Sequence, residues 1–255
     1  MKPNYVFMAI KEHPWGREML SQLIDADFKP SLIIEEESKI GKIEREKFEF
    51  RIGNNEIGKM IATQAKEHNI SKETVSIHND EHCMKYIEKA SPRMIVFGGT
   101  RIIRGEILEY GERRDGVLNS HPGLLPECRG SASPAWSIYH DIPIGSSCHF
   151  CSSEIDAGDL VGKREIDIKR GDTYQDVCYK TLITAATLMK EALESYSNGE
   201  LNIIDVLSVI NGGYMISSSV MTPTFADIDN DADFDFFTGN MSGTLSYYEN
   251  IGMSN

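Results

Sequence analysis

The apolar positions in the first half of the chain fall into short runs separated by amphipathic segments. The runs predict buried strands at residues 5–10, 31–36, 75–78, 93–99 and 115–122. Between them, apolar side chains recur every three or four positions, which predicts helices at residues 16–28, 57–69 and 80–91. This alternation of strands and helices predicts an α/β fold, with an open, mostly parallel sheet that carries helices on both faces.

The pattern changes in the second half of the chain. Two further strands are predicted at residues 142–153 and 159–168, with a loop between them. A long helix is predicted over residues 173–199, with a threonine at its start and a glycine at its end. Residues 201–221 are apolar and rich in serine and glycine, and their pattern predicts no particular element.

Charge divides the chain unevenly. The 255 residues include 26 Lys and Arg against 39 Asp and Glu, for a net charge of -13. From Leu201 onward there is no Lys or Arg, although acidic residues continue. This predicts a main domain over residues 1–200, a connecting segment over 201–222 and a small, acidic, β-rich appendage over 223–255. A surface this negative repels phosphate backbones, so nucleic acid is not expected as a partner.

Cellular location is predicted from the apolar runs and the cysteines. No run is long enough to span a membrane, and the first one leads directly into charged residues rather than a cleavage site. The five cysteines are odd in number and scattered, which fits reduced thiols better than a disulfide framework. The sequence therefore predicts a cytoplasmic protein without membrane contact.

The stretch "NSHPGLLPECRG" ends one of the predicted buried strands. Asn119 and His121 share strand parity, so both side chains project to one side at the carboxyl edge, where open sheets bind ligands. Asp156 follows a later strand, on a tight Ala-Gly turn. An amide, an imidazole and a carboxylate at one crevice suit acyl transfer, because they can stabilise an oxyanion and move protons. The alternative is a polar loop with an ordinary surface histidine.

The stretches "NSHPGLLPECRGSASPAW", "GSSCHFCSSEIDAGDLV" and "DTYQDV" together resemble the folate-dependent formyltransferase family, the type that includes glycinamide-ribonucleotide, methionyl-tRNA and sugar N-formyltransferases. The resemblance implies a Rossmann-like catalytic domain, N-formyltransferase activity and 10-formyltetrahydrofolate as the formyl donor. It also implies that Asn119, His121 and Asp156 are catalytic. Asn119 and a protonated His121 would stabilise the oxyanion, while Asp156 would pair with His121 and help to carry the proton of the attacking amine.

By the same resemblance, the pterin of the donor lies against two loops, "GGTRIIRG" at residues 98–105 and "CSSEID" at 151–156. Much of the contact there is made by backbone groups, so the side chains say little about the identity of the cofactor. The matching positions are Arg101, Ile103, Cys151, Ser152, Ser153 and Glu154.

The stretch "CHFC" at residues 148–151 has the spacing of a metal-binding or redox pair. It lies in a predicted strand, however, and no second pair follows at zinc-ribbon spacing, so we interpret it as structural. His149 within it is likewise interpreted as structural. The position of His13, after the first strand, suggests that it borders the acceptor pocket.

The acidic appendage contains "DIDNDADFD", with aspartates at alternating positions. Oxygen ligands at loop positions one, three, five and nine, with a backbone carbonyl at seven, suit calcium. The stretch resembles one FG-GAP or VCBS-type calcium-binding repeat, although Ala232 replaces the usual glycine and one repeat cannot close a propeller. A solvated acidic loop is the alternative. The resemblance implies a Ca²⁺ site at Asp227, Asp229, Asp231, Asp233 and Asp235.

The identity of the acceptor is open at this point. A tRNA acceptor requires a basic C-terminal domain, whereas this chain has no Lys or Arg from Leu201 onward. A ribonucleotide acceptor requires a Gly-rich phosphate loop, whereas this chain has "KEHPWGREM" at that place. By elimination, we favour a small-molecule acceptor, the primary amine of a 4-amino nucleotide sugar, with an amino acid or peptide amine as the alternative. A formyltetrahydrofolate hydrolase, an inactive transferase domain in a calcium-dependent binding protein, and a homo-oligomeric state also stay open.

Overall fold

The computed structural model describes residues 2–204, 216–218, 221–226, 235–240 and 245–248, the last four ranges by their backbone only. The helices are α1 (Pro14–Asp25), α2 (Lys39–Ile52), α3 (Ile61–Glu67), α4 (Glu81–Ala90), α5 (Glu106–Glu112), α6 (Ser133–Tyr139) and α7 (Tyr174–Asn198). The strands are β1 (Tyr5–Ile10), β2 (Leu32–Glu36), β3 (Lys72–Val75), β4 (Met94–Phe97), β5 (Val117–His121), β6 (Cys128–Gly130), β7 (Gly145–Phe150), β8 (Leu160–Glu165), β9 (Ile216–Ser218), β10 (Met221–Ala226), β11 (Asp235–Asn240) and β12 (Leu245–Tyr248).

The main sheet has the strand order β3-β2-β1-β4-β5-β7-β8. The first five strands in this order are parallel to one another. β7 then pairs antiparallel with β5, and β8 pairs antiparallel with β7. This confirms the predicted open, mostly parallel, Rossmann-like sheet. The chain crosses from one side of β1 to the other between β3 and β4, and a crevice at the carboxyl ends of strands is expected at such a reversal.

Burial on both faces explains why the strands are almost continuously apolar. Every residue of β1 is buried. Tyr5 and Phe7 pack into a core with residues of α1 and α7, whereas Val6 and Met8 pack into a second core with residues of α4 and α5. The sheet is therefore a middle layer that holds the carboxyl ends of β1, β4 and β5 at one edge.

Three helices, α2, α5 and α6, lie where no helix was predicted, and the bounds of β3 differ from those of the predicted strand. The helix α2 has only Gly41 and Ile52 buried, so its apolar periodicity is too weak to find from the sequence. The short helix α5 lies in a stretch that the sequence pattern left without an element. The strand β3 spans Lys72–Val75, whereas the predicted strand spans 75–78. The chain turns after Val75, and His78 is buried against Glu36 instead of pairing in the sheet.

The chain beyond residue 204 forms strands outside the main sheet. The strand β9 pairs in parallel with β6, and β10, β11 and β12 form an antiparallel sheet of their own. Four of the predicted calcium ligands, Asp227, Asp229, Asp231 and Asp233, lie outside the described residues, and Asp235 is the first residue of β11.

Within the described residues, no helix combines the length and apolar character needed to cross a membrane. All five cysteines are free thiols.

Candidate active site

The carboxyl end of β5 places Asn119 and His121 next to the crevice. β5 lies between β4 and β7, and Asn119 is paired with Phe97 on one side and His149 on the other. After His121 the chain turns at Pro122 and Gly123. A Cβ on Gly123 would lie 2.7 Å from both Nε2 of His121 and the Cys128 carbonyl oxygen, so glycine permits the close packing of the imidazole here.

His121 is buried and held at both ring nitrogens. Its Nε2 lies 2.9 Å from the Cys128 carbonyl oxygen and 2.9 Å from Ser133 Oγ. A carbonyl oxygen can only accept, so Nε2 carries the proton. Ser133 Oγ donates in turn to the Gly130 carbonyl oxygen at 3.0 Å. The Nδ1 of His121 therefore faces Asp156, at 3.3 Å from Oδ2.

Asp156 connects His121 to a second histidine. Its Oδ2 accepts a hydrogen bond from the Gly130 amide at 2.9 Å, and its Oδ1 lies 3.5 Å from Nε2 of His149. Its backbone has a φ of 50°, in the left-handed region that aspartate adopts more readily than most residues. The turn therefore stores some backbone strain to aim this carboxylate at the imidazoles.

Burial and mutual charge set the protonation of this pair. Burial lowers the pKa of His121, and the Asp156 carboxylate opposes that shift. Burial alone would raise the pKa of Asp156, but the two neighbouring imidazoles, His121 and His149, favour the carboxylate when they are protonated and so lower this pKa well below its usual value. At neutral pH the pair is therefore a carboxylate beside a neutral imidazole whose Nδ1 can accept a proton.

His149, which the sequence analysis interpreted as structural, lies in the same group of side chains. Its Nδ1 lies 2.8 Å from the Phe150 carbonyl oxygen and so carries the proton of the neutral ring. Its Nε2 can then accept a hydrogen bond from Asn119 Nδ2, at 3.2 Å. The sequence signal that could reveal this contact is the antiparallel register, which places His149 directly opposite Asn119.

A cavity of about 270 Å³ opens beside these residues. Asn119, His149 and Asp156 line it, and His121 lies behind Asp156, with 4% of its surface exposed. All six positions matched to the pterin loops also line the cavity: Arg101, Ile103, Cys151, Ser152, Ser153 and Glu154. Thr100, Ile102, Arg104 and Ile155, which belong to the two predicted pterin loops, line it as well. The sequence analysis did not identify the lining residues outside those loops: Phe97, Leu108, Gly130 and Ser131.

The other residues singled out from the sequence lie apart from this cavity or pack in the core. Cys148 is fully buried in β7. His13 caps α1, where its Nδ1 accepts from the Trp15 amide at 3.2 Å, and burial lowers its pKa to about 3. Among the described residues, no group of three or more His, Cys, Asp or Glu is arranged to hold a metal ion.

The fold and the site define an α/β protein with an amide, two imidazoles and a carboxylate grouped at the carboxyl edge of its sheet. The model of the formyl transferase family matches residues 10–193. The chain belongs to this family.

Two curated relatives match about half of the chain. The methionyl-tRNA formyltransferase of Caldanaerobacter subterraneus subsp. tengcongensis is 29% identical over 128 residues, 49% of this chain and 41% of that protein. The human trifunctional purine biosynthetic protein adenosine-3 is 24% identical over 145 residues, 56% of this chain and 14% of that protein. The chain therefore matches well under half of the length of either relative.

Solved structures with three different functions share the fold. A glycinamide ribonucleotide transformylase of Symbiobacterium toebii has a TM-score of 0.60 at 16% identity, covering 78% of this chain and 89% of its own. A 4-N formyltransferase of Francisella tularensis scores 0.55 at 18% identity, covering 79% and 72%. A formyltetrahydrofolate deformylase of Pseudomonas syringae scores 0.57 at 15% identity, covering 76% and 62%. Scores this similar do not separate the three functions.

Proposed function

We propose that this chain is an N-formyltransferase that moves a formyl group from 10-formyltetrahydrofolate to the primary amine of a small acceptor. One observation carries the proposal: Asn119 and Asp156 line the same cavity, with His121 paired to Asp156 from behind. An amide donor, a carboxylate and an imidazole in contact are the groups that acyl transfer to an amine requires.

The cavity fits the ring system of the donor. Its volume of about 270 Å³ is at the lower end of ligand cavities, enough for a flat bicyclic ring rather than a whole folate. Phe97, Ile103 and Leu108 give it apolar walls. The residues that would hold the donor are Arg101, Ile103, Cys151, Ser152, Ser153 and Glu154. Once bound, 10-formyltetrahydrofolate would supply the formyl group.

Asn119 is the residue we propose as the oxyanion stabiliser. One N–H of its Nδ2 is directed to His149, which fixes the amide and leaves the second N–H for a substrate oxygen that gains negative charge. Donors fixed before the reaction contribute most in a site from which water is excluded.

Asp156 and His121 are proposed to move the proton of the attacking amine. The Asp156 carboxylate lines the cavity and is ionised, while Nδ1 of His121 is the neighbouring atom that can take up a proton. The cation so formed on His121 would be stabilised by Asp156, and its proton would then pass to the nitrogen of the departing tetrahydrofolate. In this arrangement His121 acts through Asp156, rather than as a direct oxyanion donor.

For the acceptor, we favour a 4-amino nucleotide sugar over a ribonucleotide bound by its phosphate at the start of α1. Pro14 has no N–H, and the Trp15 amide is already bonded to His13. The carboxylate of buried Glu12 accepts hydrogen bonds from the Ile61 and Ala62 amides, so it already occupies the start of the neighbouring helix α3. A helix start with few free amides is a poor phosphate site. An amino acid or peptide amine is the alternative acceptor.

Hydrolysis of the formyl donor is the second candidate activity, because the fold is shared with a formyltetrahydrofolate deformylase. The experiment that separates these functions is incubation of the full chain with 10-formyltetrahydrofolate and a panel of 4-amino nucleotide sugars, amino acids and aminoacyl-tRNA, with release of tetrahydrofolate followed by absorbance. Release that requires one amine supports the proposal and names the acceptor class. Release without amine supports the hydrolase, and no release supports an inactive binding domain. The Asp156→Asn variant is the control for contaminating activity.

We further propose the division into a catalytic domain (1–200), a connecting segment (201–222) and an appendage (223–255). Support comes from the charge asymmetry and from the separate sheet formed by β10, β11 and β12. Calcium binding by the aspartates near β11, a cytoplasmic location and a homo-oligomeric state stay predictions.

A further inference from the structure

The loop between β4 and α5 forms one wall of the cavity. Five consecutive residues of this loop, Thr100 to Arg104, line it. They belong to no helix or strand. In the described part of the chain, the backbone of these five residues forms hydrogen bonds with one side chain, that of Asn79. The conformation of this wall therefore depends on a residue from another loop.

The Asn79 amide bonds this wall at two points. Its Nδ2 donates to the Ile102 carbonyl oxygen at 2.8 Å, and its Oδ1 accepts from the Arg104 amide at 2.9 Å. One planar side-chain amide thus pairs with a carbonyl and an N–H two residues apart, much as a neighbouring strand would. Ile103, between the two bonded residues, is buried and lines the cavity.

Asn79 is itself held on both sides. His78 is fully buried; its amide donates to Glu36 Oε2 at 3.1 Å, and its Nε2 lies 3.2 Å from the Ile34 carbonyl oxygen. Asp80 caps α4 through the Cys83 amide at 2.8 Å. Because its neighbours are fixed in this way, Asn79 loses little additional conformational freedom when it binds the loop.

The same carboxylate that holds His78 also holds the loop through a side chain. Glu36 Oε1 accepts from Arg101 Nη1 at 3.1 Å and from Ser38 Oγ at 2.6 Å. The last residue of β2 and the loop after β3 therefore meet the β4–α5 loop, at Arg101 and at Ile102 and Arg104 respectively.

We infer that Asn79 is a positioning residue for the formyl donor: it fixes the 100–104 loop in the shape that binds the donor ring. The inference rests on the proposed function for its account of the ligand. Because the loop is already ordered before binding, no binding free energy is lost in ordering it. Substitution of Asn79 should therefore weaken donor affinity rather than slow the chemical step. Asn79 touches the loop and does not line the cavity.

Hydrogen exchange in the free, full-length protein tests the loop-fixing part without any folate. We expect Asn79→Ala to speed exchange of the Arg104 amide, which donates to Asn79 Oδ1, roughly tenfold, with the strands of the main sheet unchanged. Asn79→Asp should lie between Asn79→Ala and the wild type, because its carboxylate still accepts from the Arg104 amide but cannot donate to Ile102. Unchanged exchange in Asn79→Ala would overturn the inference.

Donor titration tests the binding part, with 10-formyltetrahydrofolate as the probe. We expect Asn79→Ala to raise the KM for the donor roughly 5- to 20-fold, with kcat within about twofold. The matched control is Asn55→Ala, which removes a comparable bond from an asparagine Nδ2 to the Ile52 carbonyl oxygen at 3.0 Å, away from this cavity. An equal rise in KM for Asn55→Ala, or a fall in kcat with KM unchanged for Asn79→Ala, would overturn the positioning role.

The two parts can fail separately. Faster exchange of the Arg104 amide in Asn79→Ala, together with unchanged donor KM, would overturn the role in donor binding while the proposed function stands. A wild-type chain that neither binds nor turns over 10-formyltetrahydrofolate would overturn the proposed function and the donor role together, and hydrogen exchange would still decide whether Asn79 fixes the loop. Melting temperatures of all variants check that each one is folded.

Discussion

Two buried histidine–carboxylate pairs lie at the same edge of the sheet, and they differ in what surrounds them. In one, Nδ1 of His121 lies 3.3 Å from Asp156; in the other, Nδ1 of His78 lies 3.5 Å from Glu36. Each imidazole directs its Nε2 to a backbone carbonyl oxygen, and burial lowers the pKa of both. By residue type and distance the two pairs are nearly the same.

Access to the cavity distinguishes them. Asp156 lines the cavity beside Asn119 and His149, on a backbone with positive φ. Glu36 is 1% exposed, and its carboxylate is occupied by Ser38, the His78 amide and Arg101. We therefore expect a buried histidine–carboxylate pair to act in catalysis only where one member reaches a ligand cavity and retains capacity to bond there.

The largest expected difference is in activity. We expect His121→Gln to lower kcat by roughly 10²- to 10⁴-fold, because it removes the proton acceptor next to Asp156. The same change at His78 is expected to leave kcat within about threefold, since that imidazole lies against Glu36 and the Ile34 carbonyl oxygen, neither of which lines the cavity. Steady-state kinetics measured side by side give kcat for the two variants. Equal losses in both variants would show that the two pairs do not differ in function.

The next difference is in stability. Glu36→Ala removes the acceptor of three hydrogen bonds in a buried place and should cost about 2–4 kcal/mol of unfolding free energy. Urea denaturation measures it. Glu37→Ala is the neighbouring control, because the exposed Glu37 side chain forms a surface ion pair with the partly exposed Lys11. A loss no larger in Glu36→Ala than in Glu37→Ala would contradict a structural role for this pair.

The smallest expected effect is on the pH dependence of the unfolding free energy, and it is expected for both pairs. Burial lowers the folded pKa of His78 and His121, as it does for His13, so the unfolded chain binds more protons below about pH 6.5. Unfolding free energy should therefore fall as pH drops from 7 to 5, by up to about 2 kcal/mol for each such histidine. Urea titrations at both pH values should show a shallower fall in His78→Gln than in the wild type. Exposed His82→Gln is the reference variant. An identical fall in unfolding free energy for His78→Gln and the wild type would exclude a contribution from His78.

Much of the site could be predicted from the chain alone because it depends on local order. Asn119 and His121 share strand parity, and the glycine and proline after them end the strand. The six loop positions matched by family resemblance all line the cavity. What could not be predicted is the environment of each side chain. His149 is 30 residues from Asn119 along the chain, and a contact across β5 and β7 depends on the register of that pair.

The sequence by itself determined the α/β class, because runs with both faces apolar need helices on both sides of a parallel sheet. It also determined the chemistry available at the end of β5, because strand period and backbone-breaking residues act over a few positions. The tertiary structure alone decided which histidine lines the cavity and that His121 lies behind Asp156. It alone placed Asn79 against the 100–104 loop. These contacts join residues from different strand ends, and their distances follow from strand order and packing rather than from spacing along the chain.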